Sequence, residues 1–289
     1  MAGENTYTGH RPARFEMDLL TRCDCRRYFA IVMILMSFVA TGIAGNVILV
    51  QGTVSAPNDA ERRYSRRLTS AMSHRLKELG VSHRIVTDEE VTDHALRDSR
   101  VAMLVYNPNL QVHELTVLQK FVGRGGRLIV FYSSDRALAK LMHVTLGGYV
   151  VSRKPDQWTS FRMNESAPPA ARVRVSQTSR NIRPVRPIPG KSAVIGYWED
   201  PSGTSTEQPA WLSSASGFWM THVLLDDGDS WNKKRLILAL LGSCDPEIWK
   251  VAARAALAGA GTLGRYANLD EALGALAASG KESNTKPTA

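Results

Sequence analysis

Hydrophobic positions along the chain follow two alternating rhythms. Short apolar runs occupy residues 46–51 (NVILVQ), 83–86 (HRIV), 101–106 (VAMLVY) and 128–132 (LIVFY), with polar stretches between them. Tyr64, Leu68, Met72, Leu76 and Leu79 recur at three- and four-residue spacing after the first run, and Leu115, Leu118, Phe121 and Val122 do so before the fourth. Spacing near 3.6 predicts helices with one buried face, whereas short continuous runs predict strands covered on both faces. Asn58 and Glu61 have capping-box spacing at the head of the first helix, Gly80 stops it, and Gly123, Gly125 and Gly126 stop the second. The alternation predicts an α/β fold: a flavodoxin-like, doubly wound, mostly parallel sheet.

The pattern then changes. Residues 136–142 read as a short helix and 144–151 as an extended segment. Residues 152–191 hold six prolines and many arginines, and read as a long irregular excursion with short strands such as 171–175. Strand-like runs at 193–198, 210–212 and 217–225 predict a small antiparallel extension, and 231–241 a closing apolar helix. Together 46–248 forms one α/β domain. Beyond it, 249–289 is an alanine-rich tail with helices expected at 251–258 and 269–278, the second opened by Asn268 and Glu271, and a polar, disordered end from 281.

Ahead of the domain, residues 1–28 form a polar, basic leader and 29–45 a continuous apolar run behind Arg26 and Arg27. Extended to Val50 the run is long enough to cross a bilayer; if 46–51 belongs to the sheet, about sixteen residues remain, as in an export signal cleaved near Ala44. Arg26-Arg27-Tyr28-Phe29 resembles a twin-arginine signal, and a start at Met17 would give a leader of ordinary length. An uncleaved transmembrane helix and a cleaved signal both place the body outside the cytoplasm, on the outer side of a bacterial cell membrane or exported. Arg22, Arg26 and Arg27 support that orientation, while Arg62, Arg63, Arg66 and Arg67 weigh against it.

The formal net charge of +9 is spread over amphipathic elements without a recognition module, so nucleic acid is not the expected partner. Cys23, Cys25 and Cys244 match neither a disulfide framework nor a zinc site, and no motif requires a metal or a cofactor. Gly123 to Gly126 precede a strand rather than a helix, so they cannot form a phosphate loop. The run at 189–192 (PGKS) lacks the first glycine of one, with Val185 in its place. Asp226, Asp227 and Asp229 could ligate a hard cation, but acids ahead of a helix more often cap it. Trp158, Trp198, Trp211, Trp219 and Trp231 could stack on sugars, although Trp198 and Trp219 sit in strand patterns that predict core.

Four segments carry a resemblance: GGRLIVFYSS at 125–134, NIRPVRP at 181–187, YWED at 197–200 and WMTHVLLDD at 219–227. Their layout resembles the class I glutamine amidotransferase-like superfamily over about 46–249. More narrowly, it resembles the amidotransferase-like domain found ahead of glycoside-hydrolase-like barrels in some bacterial exported proteins. The family mechanism requires a cysteine nucleophile on a strand-to-helix turn, and no cysteine lies between Cys25 and Cys244. Ser133 or Ser134 with His222 and Asp226 or Asp227 could replace it, yet the G-x-S-x-G context that presents a serine is missing. The expectation is a non-catalytic binding or accessory module for a carbohydrate or protein partner, with Thr53, Asn107, Ser133, Ser134, Arg183 and Arg186 as candidate ligand contacts. The alternatives are a serine hydrolase, or the N-terminal fragment of a glycoside-hydrolase-like protein.

Overall fold

The computed structural model describes residues 46–259, together with 271 and 274. The leader, the apolar run 29–45 and the helix expected over 269–278 lie outside the described residues or nearly so. Among the described residues no helix is long and apolar enough to cross a membrane.

The first half of the domain follows its pattern closely. Strand β1 (Asn46–Gln51) leads to helix α1 (Asp59–Glu78), then β2 (His83–Thr87), β3 (Ser99–Tyr106), α2 (Val112–Gly123), β4 (Arg127–Val130) and α3 (Arg136–Leu141). Asn58 accepts the Glu61 N–H at 3.0 Å, which is half of the expected capping box. The other half does not form, because the Glu61 carboxylate instead accepts the Tyr106 hydroxyl at 2.8 Å.

The later elements depart more from expectation. Residues 144–151 split into β5 (Val144–Leu146) and β6 (Val150–Val151), and the excursion is ordered, with β7 (Trp158–Met163), β8 (Arg174–Ser179), β9 (Asn181–Ile182) and β10 (Val185–Pro187). β11 (Ser192–Glu199), β12 (Ser205–Ser214) and β13 (Gly217–Met220) follow, then α4 (Ser230–Cys244) and α5 (Glu247–Gly259). The short strand expected at 171–175 lies instead at Arg174–Ser179, where the alternation buries Val175, Gln177 and Ser179; two of these are polar, which hid the strand's extent.

One nine-stranded sheet runs β2-β1-β3-β4-β13-β12-β11-β7-β8. Its first five strands are parallel, in the 2-1-3-4-5 order of flavodoxin-like sheets. β13, expected in the antiparallel extension, is the fifth of these, and the extension gains β7 and β8 in its place. Pairs β5–β10 and β6–β9 stand apart from the main sheet.

Two apolar layers cover the sheet. Val47, Leu49, Met103 and Ile129 face Met72 and Leu76 of α1 and Leu236 and Leu240 of α4, while Ile48, Val50, Leu104 and Val130 face Phe121 of α2 and Leu138 of α3. Successive side chains point to opposite faces, so a strand with helices on both sides needs apolar residues at every position. β4 and β13 meet where Gly217 (φ 131°) lies so close to Leu128 that a Cβ would fall 1.9 Å from its carbonyl oxygen. Residue 217 is therefore restricted to glycine.

Candidate functional site

The loops leaving the carboxyl ends of β1, β2, β3, β4 and β13 form the edge where open α/β sheets place their sites, and the order of chain reversal lies between β1 and β3. The loop after β1 presents three successive amides. Thr53 N–H donates to Asp88 Oδ2 at 2.9 Å, Val54 N–H to Oδ1 at 3.3 Å and Ser55 N–H to Oδ2 at 2.7 Å, and the Thr53 hydroxyl also donates to Oδ1. Such a concave run of amides ahead of a helix is an anion-binding arrangement. Here the anion is the chain's own Asp88, in a single 3-10 turn after β2. Burial alone would push its carboxyl up, but the hydrogen bonds from Thr53 and Ser55 outweigh that and hold it below the usual range. Thr53 is thus committed to an internal partner.

Asn107 behaves differently. It follows β3 directly, its side chain is fully buried, and neither carboxamide atom has a hydrogen-bond partner among the described residues. Ser55 Oγ and Glu114 Oε1 share this state. Glu114, in the first turn of α2, is fully buried and accepts the Gln111 N–H at 3.4 Å through Oε2. Burial first, and the nearby Asp88 charge second, push it up to about 8, so it is protonated at neutral pH. Beside these groups Tyr106 stacks on Tyr132 with ring centres 5.5 Å apart, and the ring of Tyr64 meets Tyr106 edge-on at 5.3 Å.

The serine hydroxyls at the end of β4 are occupied. Ser133 Oγ donates to Pro108 O at 3.3 Å and Ser134 Oγ to the same carbonyl at 2.7 Å. His222 is buried among Gln177, Ser179 and the Val223 carbonyl, its ring edge-on to Trp198, and burial pushes its pKa down to about 4. Asp226 pairs with the buried Arg75 at 2.7 Å. No hydrogen bond joins any of the serines, the histidine and the aspartate, so the Ser-His-Asp set is not assembled. Cys244 is a free thiol that burial pushes up to about 12, far from a thiolate nucleophile.

The three aspartates after β13 neither gather as ligands nor cap α4. Asp229 stands at the N-cap position in a left-handed conformation without a capping hydrogen bond. Its Oδ2 accepts the Ser176 N–H at 2.7 Å, and Asp227 Oδ2 accepts the Thr178 N–H at 3.1 Å. Both carboxylates thereby cover the free edge of β8, the outermost strand, and Asp227 also pairs with the buried Lys233. Among the described residues no group of three or more histidine, cysteine or carboxylate side chains could hold a metal ion.

Arg183 ties the edge together: its N–H donates to Thr221 O at 2.9 Å and its Nη1 to Gly147 O at 3.4 Å. Arg186 lies elsewhere, exposed on β10 opposite Thr145. Of the five candidate tryptophans, Trp158, Trp198, Trp211 and Trp219 are core and Trp231 is exposed, at 73%. Sequence reasoning missed Asp88 and Glu114. The available signals were an acid directly after a strand, in Thr87-Asp88-Glu89, facing the small polar loop Gly52-Thr53-Val54-Ser55, and Glu114 at capping-box distance from Gln111.

No protein-family model matches the chain, and no curated protein matches it. Solved structures do. A ThuA-like protein from Bacteroides uniformis is 12% identical with a TM-score of 0.53, covering 70% of this chain and 91% of its own. A GMP synthase-like protein from Thermoplasma acidophilum is 13% identical with a TM-score of 0.44, covering 72% and 98%. A β-galactosidase from Rahnella sp. R3 is 14% identical with a TM-score of 0.49; 75% of this chain matches only 34% of that enzyme. At these identities the likeness concerns fold alone, and the ThuA-like structure carries it: an α/β fold with a large, mostly parallel central sheet.

Proposed function

We propose that this chain is a non-catalytic binding module of amidotransferase-like fold, held at or exported across a bacterial cell membrane by residues 29–45, which takes a carbohydrate at the carboxyl edge of its sheet. One observation carries the reading. The hydroxyls at the end of the central strand, Ser133 and Ser134, both donate to the Pro108 carbonyl, and among the described residues no base accepts from them. A serine without a hydrogen-bonded base is a poor nucleophile. What the same edge offers is recognition: the half-buried Tyr106–Tyr132 stack, and the Asn107 carboxamide, whose donor and acceptor are both unpartnered among the described residues but buried, so that a ligand reaches them only if their cover moves. Sugars are bound by this combination of aromatic faces and planar amides.

The test is titration calorimetry of the full chain against neutral oligosaccharides, in parallel with turnover assays on ester and glycoside panels. Tyr132→Ala should weaken saccharide binding about tenfold, and Ser133→Ala with Ser134→Ala should leave it unchanged. Turnover by the native chain that disappears in the serine double variant would overturn the proposal, as would failure to bind any saccharide.

A further inference from the structure

The β6–β9 ribbon carries three consecutive exposed apolar side chains: Tyr149 at 53%, Val150 at 38% and Val151 at 59% exposed. In a strand packed on a core one of the two valines would be buried. Here the ribbon has only two strands, and both valines face water. The chain then turns basic. Ser152 N–H donates to Arg180 O at 2.8 Å, which sets Arg180 beside the end of the ribbon. Arg153 N–H donates to Gln157 Oε1 at 2.8 Å, and Asp156 adopts a left-handed φ of 62°, so residues 152–157 fold back. They close one side of a cleft of about 370 Å³, lined by Ser152, Arg153, Lys154, Asp156, Thr178 and Arg180. Among the described residues no carboxylate forms an ion pair with Arg153, Lys154 or Arg180.

We propose that this ribbon docks on an anionic membrane surface, with Tyr149, Val150 and Val151 entering the interface and the cleft of Arg153, Lys154 and Arg180 receiving a lipid phosphate. Apolar side chains beside unpaired cations are the combination that such a surface binds, because burial of the first and attraction of the second add together. A soluble polyanion would use the cations and leave the apolar trio in water. The docking residues are separate from the saccharide contacts, so membrane docking survives if those contacts are wrong.

The experiment mixes the full chain with vesicles of phosphatidylcholine alone, or with phosphatidylglycerol added, and follows flotation. Association through residues 29–45 is common to both lipids, so the difference between them is the readout. The anionic vesicles should bind more strongly, and Arg153→Gln with Lys154→Gln and Arg180→Gln should reduce the difference roughly a hundredfold, about fivefold per cation. In a Val151→Trp variant, brominated phosphatidylglycerol should quench the new tryptophan, and Val150→Asp should abolish that quenching. Equal binding to both lipids would overturn the proposal. So would an unquenched tryptophan, or capture by soluble dextran sulfate that anionic vesicles do not compete away.

Discussion

Glu114→Gln is a direct probe of the buried carboxyl edge. In the native fold the Glu114 carboxyl is fully buried, accepts one amide through Oε2, and has no partner for Oε1 among the described residues. Its pKa rises from the ordinary 4.5 to about 8. A carboxyl raised on folding binds its proton more tightly in the native state, so its contribution is fully present below pH 4.5 and is lost as pH rises through 8. At about 1.4 kcal/mol per unit, the penalty grows to the order of 5 kcal/mol over that window. Glutamine keeps the acceptor for Gln111 and cannot ionise; its unpartnered amide gives back about 1 kcal/mol. The variant should therefore exceed the native chain in stability by roughly 3–4 kcal/mol at pH 8.5, and should lose that advantage near pH 4.5. Urea unfolding midpoints measured every half unit from pH 4.5 to 8.5 read this directly. Parallel curves for the two proteins across the window would refute the assignment.

Three further outcomes follow from the same geometry. Asp88→Ala leaves the amides of Thr53, Val54 and Ser55 without their acceptor and should cost about 2–4 kcal/mol at pH 7 in denaturant unfolding. Because the Asp88 carboxyl is held low in the fold, that cost should shrink as pH falls below 4, and a cost independent of pH would contradict the arrangement. Gly217→Ala places a Cβ 1.9 Å from the Leu128 carbonyl oxygen at φ 131°; thermal melting should show a loss of at least about 3 kcal/mol, and a loss below about 1 would mean the strands can part cheaply. His222, pushed down to about 4 by burial, should stay neutral through pH 6 in an NMR titration. Its stabilising contribution is present above its ordinary 6.5 and falls as pH drops towards 4, so a midpoint near 6.5 would show that the ring is solvated.

The chain itself determined the parallel half of the fold. In β1, β3 and β4 the central positions, Val47 to Val50, Val101 to Val105 and Leu128 to Val130, are all apolar because helices cover both faces, and that leaves a run readable without any partner. The Asn58 cap of α1 and the glycine stops of α1 and α2 are local signals, and they too were legible. The antiparallel half was not. β7 and β8 bury Ser160, Gln177 and Ser179 alongside their apolar residues, and those polar groups are tolerated only because Glu199, His222 and the Val223 carbonyl reach them from distant positions.

The candidate site divides along the same line. Its place at the end of the central strand, and the missing cysteine, follow from sequence order alone. That Thr53 faces Asp88, that Ser133 and Ser134 share the Pro108 carbonyl, and that Asp227 and Asp229 cover the β8 edge are contacts between residues 25 to 53 positions apart. A side chain's residue type says which bonds it can make. Only the packed fold decides which partner comes within reach, and whether burial leaves a carboxyl charged, as at Asp88, or neutral, as at Glu114.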